Sequence, residues 1–275
     1  MTVTVQELAA GLGWRVVDVI CENGPHDRRF EEQHAHISIA AVTQGTFQYR
    51  TRQGSAVLVP GAVLLGNAGA CFECGHDHGH GDRCLAFHVT QEFLENVASG
   101  VAGARRTTFS VSSLPPLRQL MPVLADAEAA RDNRDSAAFE ELTLRLAGAV
   151  TALLSQQSPA GRHAHHRDEQ RISAAARRIE EHAEEPLSLS DLARDAGLSP
   201  YHFLRLFRQV IGMTPHQFIL HTRLHRAAVR LRRTDDAISA IAYDAGFNDL
   251  STFNRRFRRL MGASPGAYRI SGTAA

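Results

Sequence analysis

The chain contains no lysine: all 30 of its basic side chains are arginine. Every fixed positive charge it offers a partner is therefore a guanidinium, a bias expected of genome composition. It has no apolar run approaching the ~18 residues that a membrane-spanning helix needs. No basic-then-apolar leader opens it either, so a cytoplasmic protein with no membrane partner is expected. Cysteine is sparse, at four residues, and in that compartment a structural disulfide is not expected. Nothing in the chain assembles the nucleophile, base and orienting group of a hydrolytic centre, and this argues against an enzyme.

The composition otherwise belongs to a globular protein, with 44% hydrophobic and 21% charged residues in 275. That length allows one or two domains, each with a real core. The net charge of +1 conceals an asymmetry. Residues 171–275 carry 16 arginines against 10 acids, whereas residues 1–170 carry 14 against 19. A basic C-terminal part joined to an acidic N-terminal part suits a nucleic-acid module attached to something else.

The C-terminal part says the same thing twice. Leu192–Pro215 reads LARDAGLSPYHFLRLFRQVIGMTP, and Ile241–Pro265 reads IAYDAGFNDLSTFNRRFRRLMGASP. Ala193, Asp195, Ala196 and Gly197 recur as Ala242, Asp244, Ala245 and Gly246. One residue then enters the turn, after which Phe203, Arg205, Phe207, Arg208, Gly212 and Pro215 recur as Phe253, Arg255, Phe257, Arg258, Gly262 and Pro265. A duplicated local pattern means a duplicated supersecondary unit. Each copy reads as a short helix ending at glycine, a tight turn, and a second helix begun by Ser199-Pro200 or by Asn248 or Asp249. Phe203, Phe207, Val210 and Ile211, matched by Phe253, Phe257, Leu260 and Met261, form the inward face. The outward face then carries Tyr201, Arg205 and Arg208 in one copy and Ser251, Arg255 and Arg258 in the other. His202, Leu204 and Asn254 adjoin these stripes as further candidate contacts. Such a helix can enter the DNA major groove, where arginine bridges guanine O6 and N7 or neutralises phosphate. The alternative is a solvated arginine face on an ordinary bundle, which the repetition of core, turn and stripe together argues against.

At these residues the chain resembles the AraC/XylS family of bacterial transcription regulators. The matching stretches are SLSDLARDAGLSPYHFLRLFRQVIG and AISAIAYDAGFNDLSTFNRRFRRLMGASPGAYR. The resemblance implies an all-α DNA-binding domain over residues 169–275, with two helix-turn-helix units joined by a central helix near Pro215–Arg233. At ~1.5 Å per residue that helix spans about 28 Å, comparable to the ~34 Å between successive major-groove faces. It further implies a regulator, an activator by preference, with double-stranded promoter DNA and RNA polymerase as partners.

Residues 1–110 read as short strands: Trp14–Cys21, Ile37–Val42, Thr46–Thr51, Ala56–Val59, Val63–Gly66 and Cys84–Val89, with a returning strand at Thr107–Val111. This predicts a small antiparallel barrel or sandwich in a chain that is α+β overall and multidomain. HAHISIAAVTQGTFQYR and the Pro60-Gly61 turn resemble the cupin-like sensor domain of the same family. His34 and His36 are similar to its first His-x-His, but the carboxylate expected after them is missing and Leu64 and Leu65 stand where a further ligand would be. A cupin oxygenase is disfavoured on that ground, and no alkyl-transfer module is matched closely. Helices are expected at Gln91–Ala98, Leu117–Ala130 and Ser136–Leu154. The stripe Leu142, Leu146, Ala149 and Leu153 either packs on the barrel or pairs two copies as a homodimer. The sensor and dimerisation domain is therefore expected at residues 1–155 and a polar linker at 156–168. A helix over Glu169–Glu184 should open the DNA-binding domain. In the linker, His163, His165 and His166 read as solvated.

One stretch is chemically unusual. Cys71–Cys84, CFECGHDHGHGDRC, holds three of the four cysteines, and zinc favours such ligands. Cys74, His76 and His78 alternate, so an extended segment presents them on one side, and Gly79 and Gly81 could return Cys84 to them. The expected site is zinc on Cys74, His76, His78 and Cys84, structural in preference to sensory, with Cys71 or His80 as substitutes. Redox or electrophile sensing by the thiols, and no special chemistry, are the alternatives. The effector that the sensor answers to, a small molecule or a metal, is not legible.

Overall fold

The computed structural model describes residues 3–24, 27, 30–76, 81–104, 107–156 and 166–271. The chain is a mixed α and β protein with antiparallel sheets and, among the described residues, ten helices.

The strands come first: β1 (Val3–Gly11), β2 (Trp14–Cys21), β3 (Phe30–Gln33), β4 (Ile37–Gly45), β5 (Phe47–Thr51), β6 (Gly54–Leu58), β7 (Val63–Gly66), β8 (Cys71–Gly75) and β9 (Asp82–Val89). Helix α1 (Gln91–Ser99) and a two-residue strand β10 (Ser113–Leu114) follow, and then α2 (Met121–Asn133) and α3 (Ala138–Gln156). One sheet runs β1-β2-β9-β4-β7-β10 and the other β3-β8-β5-β6. The larger sheet is covered on both faces. Val17, Ala40, Val42, Leu64, Cys84 and Ala86 turn toward Phe47, Tyr49 and Val57 of the smaller sheet. Their neighbours Val16, Ile39, Ala41, Leu65, Leu85 and Phe87 turn toward helices α1–α3. Successive side chains on a strand alternate between faces, so a strand buried on both sides must be apolar throughout. This is why β4 reads Ile-Ser-Ile-Ala-Ala-Val without a charge.

Leu142 and Leu146 are buried in the outer core, with Ala149 and Leu153 packed against it. The stripe on α3 is therefore used within the chain. The returning strand expected at Thr107–Val111 forms instead at Ser113–Leu114 against β7, because Asn67 takes the Phe109 backbone, accepting from its N–H and donating to its carbonyl. The linker expected over 156–168 lies mostly outside the described residues, His163 and His165 included. Gln156 ends α3, and His166 already begins the next helix.

That helix, α4 (His166–Glu181), starts three residues earlier than expected. Its early turn carries Asp168 and Glu169, which favour a helix N-terminus. Five elements follow: α5 (Leu189–Asp195), α6 (Pro200–Ile211), α7 (Pro215–Arg233), α8 (Ile238–Asp244) and α9 (Leu250–Met261). Helix α10 (Pro265–Ser271) ends the set. The central helix has the expected bounds because Thr214 and Gln217 form a reciprocal capping box around Pro215,.

The two halves are packed together. Met121 and Ala125 of α2 join Leu224, Ala228 and Leu231 of α7 and the aromatic core around Phe253 and Phe257. Asp126 accepts from Arg145, Arg232 and the Tyr268 hydroxyl, at 2.9, 3.0 and 2.8 Å. Arg233 meets Asp132 at 3.0 Å, and His225 meets Glu128 at 2.5 Å. On the other side the Gly45 N–H donates to Glu180 of α4 at 3.0 Å.

Burial holds several histidines neutral, His221 and His34 among them. Burial, with the neighbouring His225, lowers the His221 pKa to about 3. Burial lowers that of His34 to about 4, where it is hydrogen-bonded to the Tyr49 hydroxyl at 2.8 Å. An unfolded histidine titrates near ~6.5. Above that pH both states are neutral and the full stability is present. Below it only the unfolded chain takes up the proton, so stability falls as pH falls toward the folded values. Each group should contribute a slope of about 1.4 kcal/mol per pH unit between roughly pH 6 and 5. Urea unfolding across that interval should show His221→Gln losing about one proton's worth of slope; an unchanged slope would contradict the burial of this ring in its neutral form.

Candidate functional site

Helices α5 and α6, and again α8 and α9, form two matched pairs across a tight turn. Gly197 and Gly246 take left-handed backbone angles, φ 63° and 81°, as the capping glycines must,. At Gly246 a side chain is excluded twice over, since a Cβ would lie 2.3 Å from the Glu184 carbonyl oxygen. Arg223 of α7 holds this corner, donating to the carbonyls of Ala183, Glu185 and Gly246. Ser199 caps α6 by accepting from the His202 N–H. Asp249, rather than Asn248, caps α9, accepting from the Ser251 and Thr252 N–H groups.

Each longer helix is oriented by two phenylalanines. Phe203 and Phe207 are fully buried, with ring centroids 5.6 Å apart; Phe253 and Phe257 repeat the arrangement at 5.5 Å. Their burial turns the opposite face outward. His202, Arg205 and Arg208 are exposed on α6, and Ser251, Asn254, Arg255 and Arg258 on α9; Leu204 is half-buried. The Tyr201 side chain lies outside the described residues.

The arginines divide into two groups. Arg230 is held by Asp236 and Asp244, Arg232 by Asp126 and over the Tyr268 ring, and Arg178 by Asp195. These are structural. Among the described residues none of Arg205, Arg208, Arg255 and Arg258 lies within ion-pairing distance of a carboxylate. Four exposed guanidiniums outside close ion pairs, on two equivalent helices, can meet phosphates or guanine edges,.

The Cys/His segment is built differently from a glycine-rich loop. Cys71–Gly75 is strand β8, and Asp82 already belongs to β9. Asp77, His78, Gly79 and His80 lie outside the described residues, so the expected ligand His78 does too. His76 is buried, with Nε2 2.5 Å from Asp82 Oδ1. Burial alone would lower its pKa, but hydrogen bonds to Asp82 and Cys21 outweigh it and raise the value to about 9. The Cys84 thiol donates to Asp82 Oδ2 at 3.3 Å. Burial, then the nearby Asp82, pushes the thiols of Cys74 and Cys84 well up. The companions of His76 that the alternation pattern misses are Cys21 and Asp82: Cys21 ends β2, and its pairing with β9 is long-range. His34 and His36 do not converge. His34 is buried and stacked on Phe72 at 4.2 Å, whereas His36 is exposed and lies 6.2 Å from the ring of His88.

Residues 192–271 match the family model described as a helix-turn-helix domain. The chain is 40% identical over 91 residues to the regulatory protein SoxS of Salmonella typhimurium, covering 33% of this chain and 85% of SoxS. The chain belongs to the AraC/XylS family. The probable transcriptional regulator LumQ of Photobacterium leiognathi is 36% identical over 92 residues, which cover 34% of this chain. Only 37% of the length of LumQ is spanned. Among solved structures, the DNA-binding domain of AdpA in complex with a target DNA is 30% identical, covering 38% of this chain and 93% of that one with a TM-score of 0.36. The relatives of this AraC/XylS chain are transcription regulators and not enzymes. Among the described residues no helix is long and apolar enough to cross a membrane.

The matched positions of Arg205 and Arg255 make a symmetric prediction for this AraC/XylS chain. Arg205→Ala and Arg255→Ala should each weaken binding to a specific duplex by about 1–3 kcal/mol, relaxing specificity in different groove segments. Titrations that left affinity unchanged for both variants would remove the stripes from the interface.

Proposed function

We propose that this protein is a sequence-specific, DNA-binding transcription regulator in which α5–α6 and α8–α9 are two helix-turn-helix units. The observation that carries this reading is the pair of equivalent exposed arginine faces, each fixed by a buried phenylalanine pair. Helix α7, 19 residues long, spaces the units by about 28 Å at ~1.5 Å per residue. That separation suits successive major-groove segments on one side of a duplex, so one chain would read an asymmetric site. Such a protein works in the cytoplasm, where it would meet promoter DNA. The direction that the family resemblance implies is activation, with RNA polymerase as the contacted partner.

The two facing sheets serve, in this reading, as a cupin-like sensor domain over residues 1–155, docked on the DNA-binding part at 169–275. Contacts through Asp126, Glu128 and Asp132 on one side and Glu180 on the other support control by docking. An effector, small molecule or metal, would act by changing how the sheets hold the two units. Leu142 and Leu146 of the α3 stripe are buried within the chain, which leaves only its partly buried end, Ala149 and Leu153, to a homodimer. Zinc in the Cys/His segment is the cofactor we infer, and the convergence of His76, Asp82 and Cys84 supports it. Cys74 and Cys84 do not favour the thiol-sensing alternative, because reactive cysteines need a low pKa and access and burial pushes these two thiols the other way.

Residues 169–275 expressed alone provide the test, since they contain the whole of the matched helix-turn-helix domain at residues 192–271. The fragment should bind duplex DNA with an affinity that falls linearly in log–log against salt. Four phosphate-neutralising arginines would give a slope of about −4. A folded, helical fragment with no salt-dependent DNA binding would overturn the assignment.

A further inference from the structure

The strand register brings together side chains that the sequence keeps far apart. Strands β2 and β9 pair so that Cys21 stands opposite Asp82 and Val19 opposite Cys84. Directly opposed residues share a face of the sheet, so Cys21, Asp82 and Cys84 project the same way. That face looks toward the smaller sheet, where Cys84, with Val19 and Cys74 packed beside it, shares a core with Phe47 and Tyr49. His76 leaves the end of β8 into the same space, its ring 5.9 Å from that of Phe47. The result is a compact group: the Cys21 thiol, a His76 ring nitrogen and an Asp82 carboxylate oxygen all lie within 4.8 Å of one another.

We propose that Cys21, His76 and Asp82 are the ligands of a divalent transition-metal ion of the zinc class, with Cys84 hydrogen-bonded to the outer oxygen of Asp82. Thiolate, imidazole and carboxylate together form a set that zinc accepts at ~2.0–2.3 Å per bond. Bonds of that length set tetrahedral ligand atoms about 3.5 Å apart; the three atoms lie within 4.8 Å of one another, and His76 Nε2 and Asp82 Oδ1, 2.5 Å apart, would separate to admit the ion. The ligand positions are held by the fold. Cys21 and Asp82 are fixed by the β2–β9 ladder, and Gly81 before Asp82 takes a left-handed φ of 71° against the Cys21 carbonyl. The buried Asp82 carboxylate needs a positive partner, which either a protonated His76 or a metal ion supplies,. A structural His–Asp pair would account for His76 and Asp82, but not for the Cys21 thiol within 4.8 Å of both, nor for the Cys84 thiol donating to Asp82 Oδ2.

This ligand set differs from the one that alternation in the sequence suggests. It keeps His76, moves Cys84 to an outer position and needs neither Cys74 nor His78. Three protein ligands leave one position of a tetrahedral ion open to exchange. The site also adjoins the junction of the two halves, because Asp82 pairs in register with Gly45, whose N–H donates to Glu180 of α4 at 3.0 Å. It deepens the sensor reading above by naming a metal ion as the effector class, but its test does not depend on DNA binding.

The test is a titration of the reduced full-length protein with Co²⁺, read by the sulfur-to-cobalt charge-transfer absorption. The band should saturate at about one ion per chain and disappear on adding Zn²⁺, since a tetrahedral thiolate site prefers zinc to cobalt. Cys21→Ser should abolish the band and His76→Gln should weaken cobalt binding more than tenfold, whereas Cys71→Ser should leave both unchanged. Circular dichroism on each variant confirms that it is folded. Should Cys21→Ser not fold, His76→Gln and Asp82→Asn carry the test, each losing binding. Wild-type protein without the band would overturn the proposal. So would a band that survives Cys21→Ser at full strength but is lost in Cys74→Ser.

Discussion

Everything distinctive about the C-terminal part depends on four phenylalanine rings. Phe203 and Phe207 on α6, and Phe253 and Phe257 on α9, are fully buried. Burying each ring is favourable by about 1.5–3 kcal/mol relative to leaving it in water. Turning either helix by one residue, ~100°, would expose the rings and press guanidiniums toward an apolar core. The rotation of both helices is therefore fixed by their inward faces. The outward arginines are displayed because nothing else can be.

The second constraint is the docking of one half on the other. Helix α7 is both the spacer between the two helix pairs and the surface on which α2 sits, through Met121 and Ala125 and the Asp126 hub. Helix α4, whose Ile172, Ala176 and Ile179 share a core with Phe203 and Phe207 of the first pair, is held from another direction. Gln48 donates to Glu169 at 3.3 Å, and the Gly45 N–H donates to Glu180. The relative placement of α6 and α9 is thus set by α7 and by the sheets together. In the proposed reading, a change that repacks the sheets would alter the spacing of the two arginine faces, and binding at either place would then affect affinity at the other.

Local pattern made much of this legible. The strands Trp14–Cys21 and Val63–Gly66 and the helix Pro215–Arg233 have the bounds that alternation, turn residues and caps indicate. Gln91–Ser99 follows for the same reason, with Thr90 as its cap. What escaped were elements specified by distant partners. Val3–Gly11, Phe30–Gln33 and Cys71–Gly75 are strands because β2, β8 and β5 offer them edges; their own residues are polar or glycine-bearing enough to read as loop. The Cys/His group shows the limit most clearly. His76 stands out in the sequence, but its companion Cys21 lies 55 residues away and is delivered by the β2–β9 register. The buried role of the α3 stripe likewise needed the sheet it covers.

The central claim is that a single chain presents two equivalent reading helices to one side of a duplex. Hydroxyl-radical footprinting of the full-length protein on a DNA site selected for it measures this directly. Two protected segments on the same face, separated by about one helical turn of 10–10.5 base pairs, are the result the account predicts. A single short protected segment, or two on opposite faces of the duplex, would contradict it.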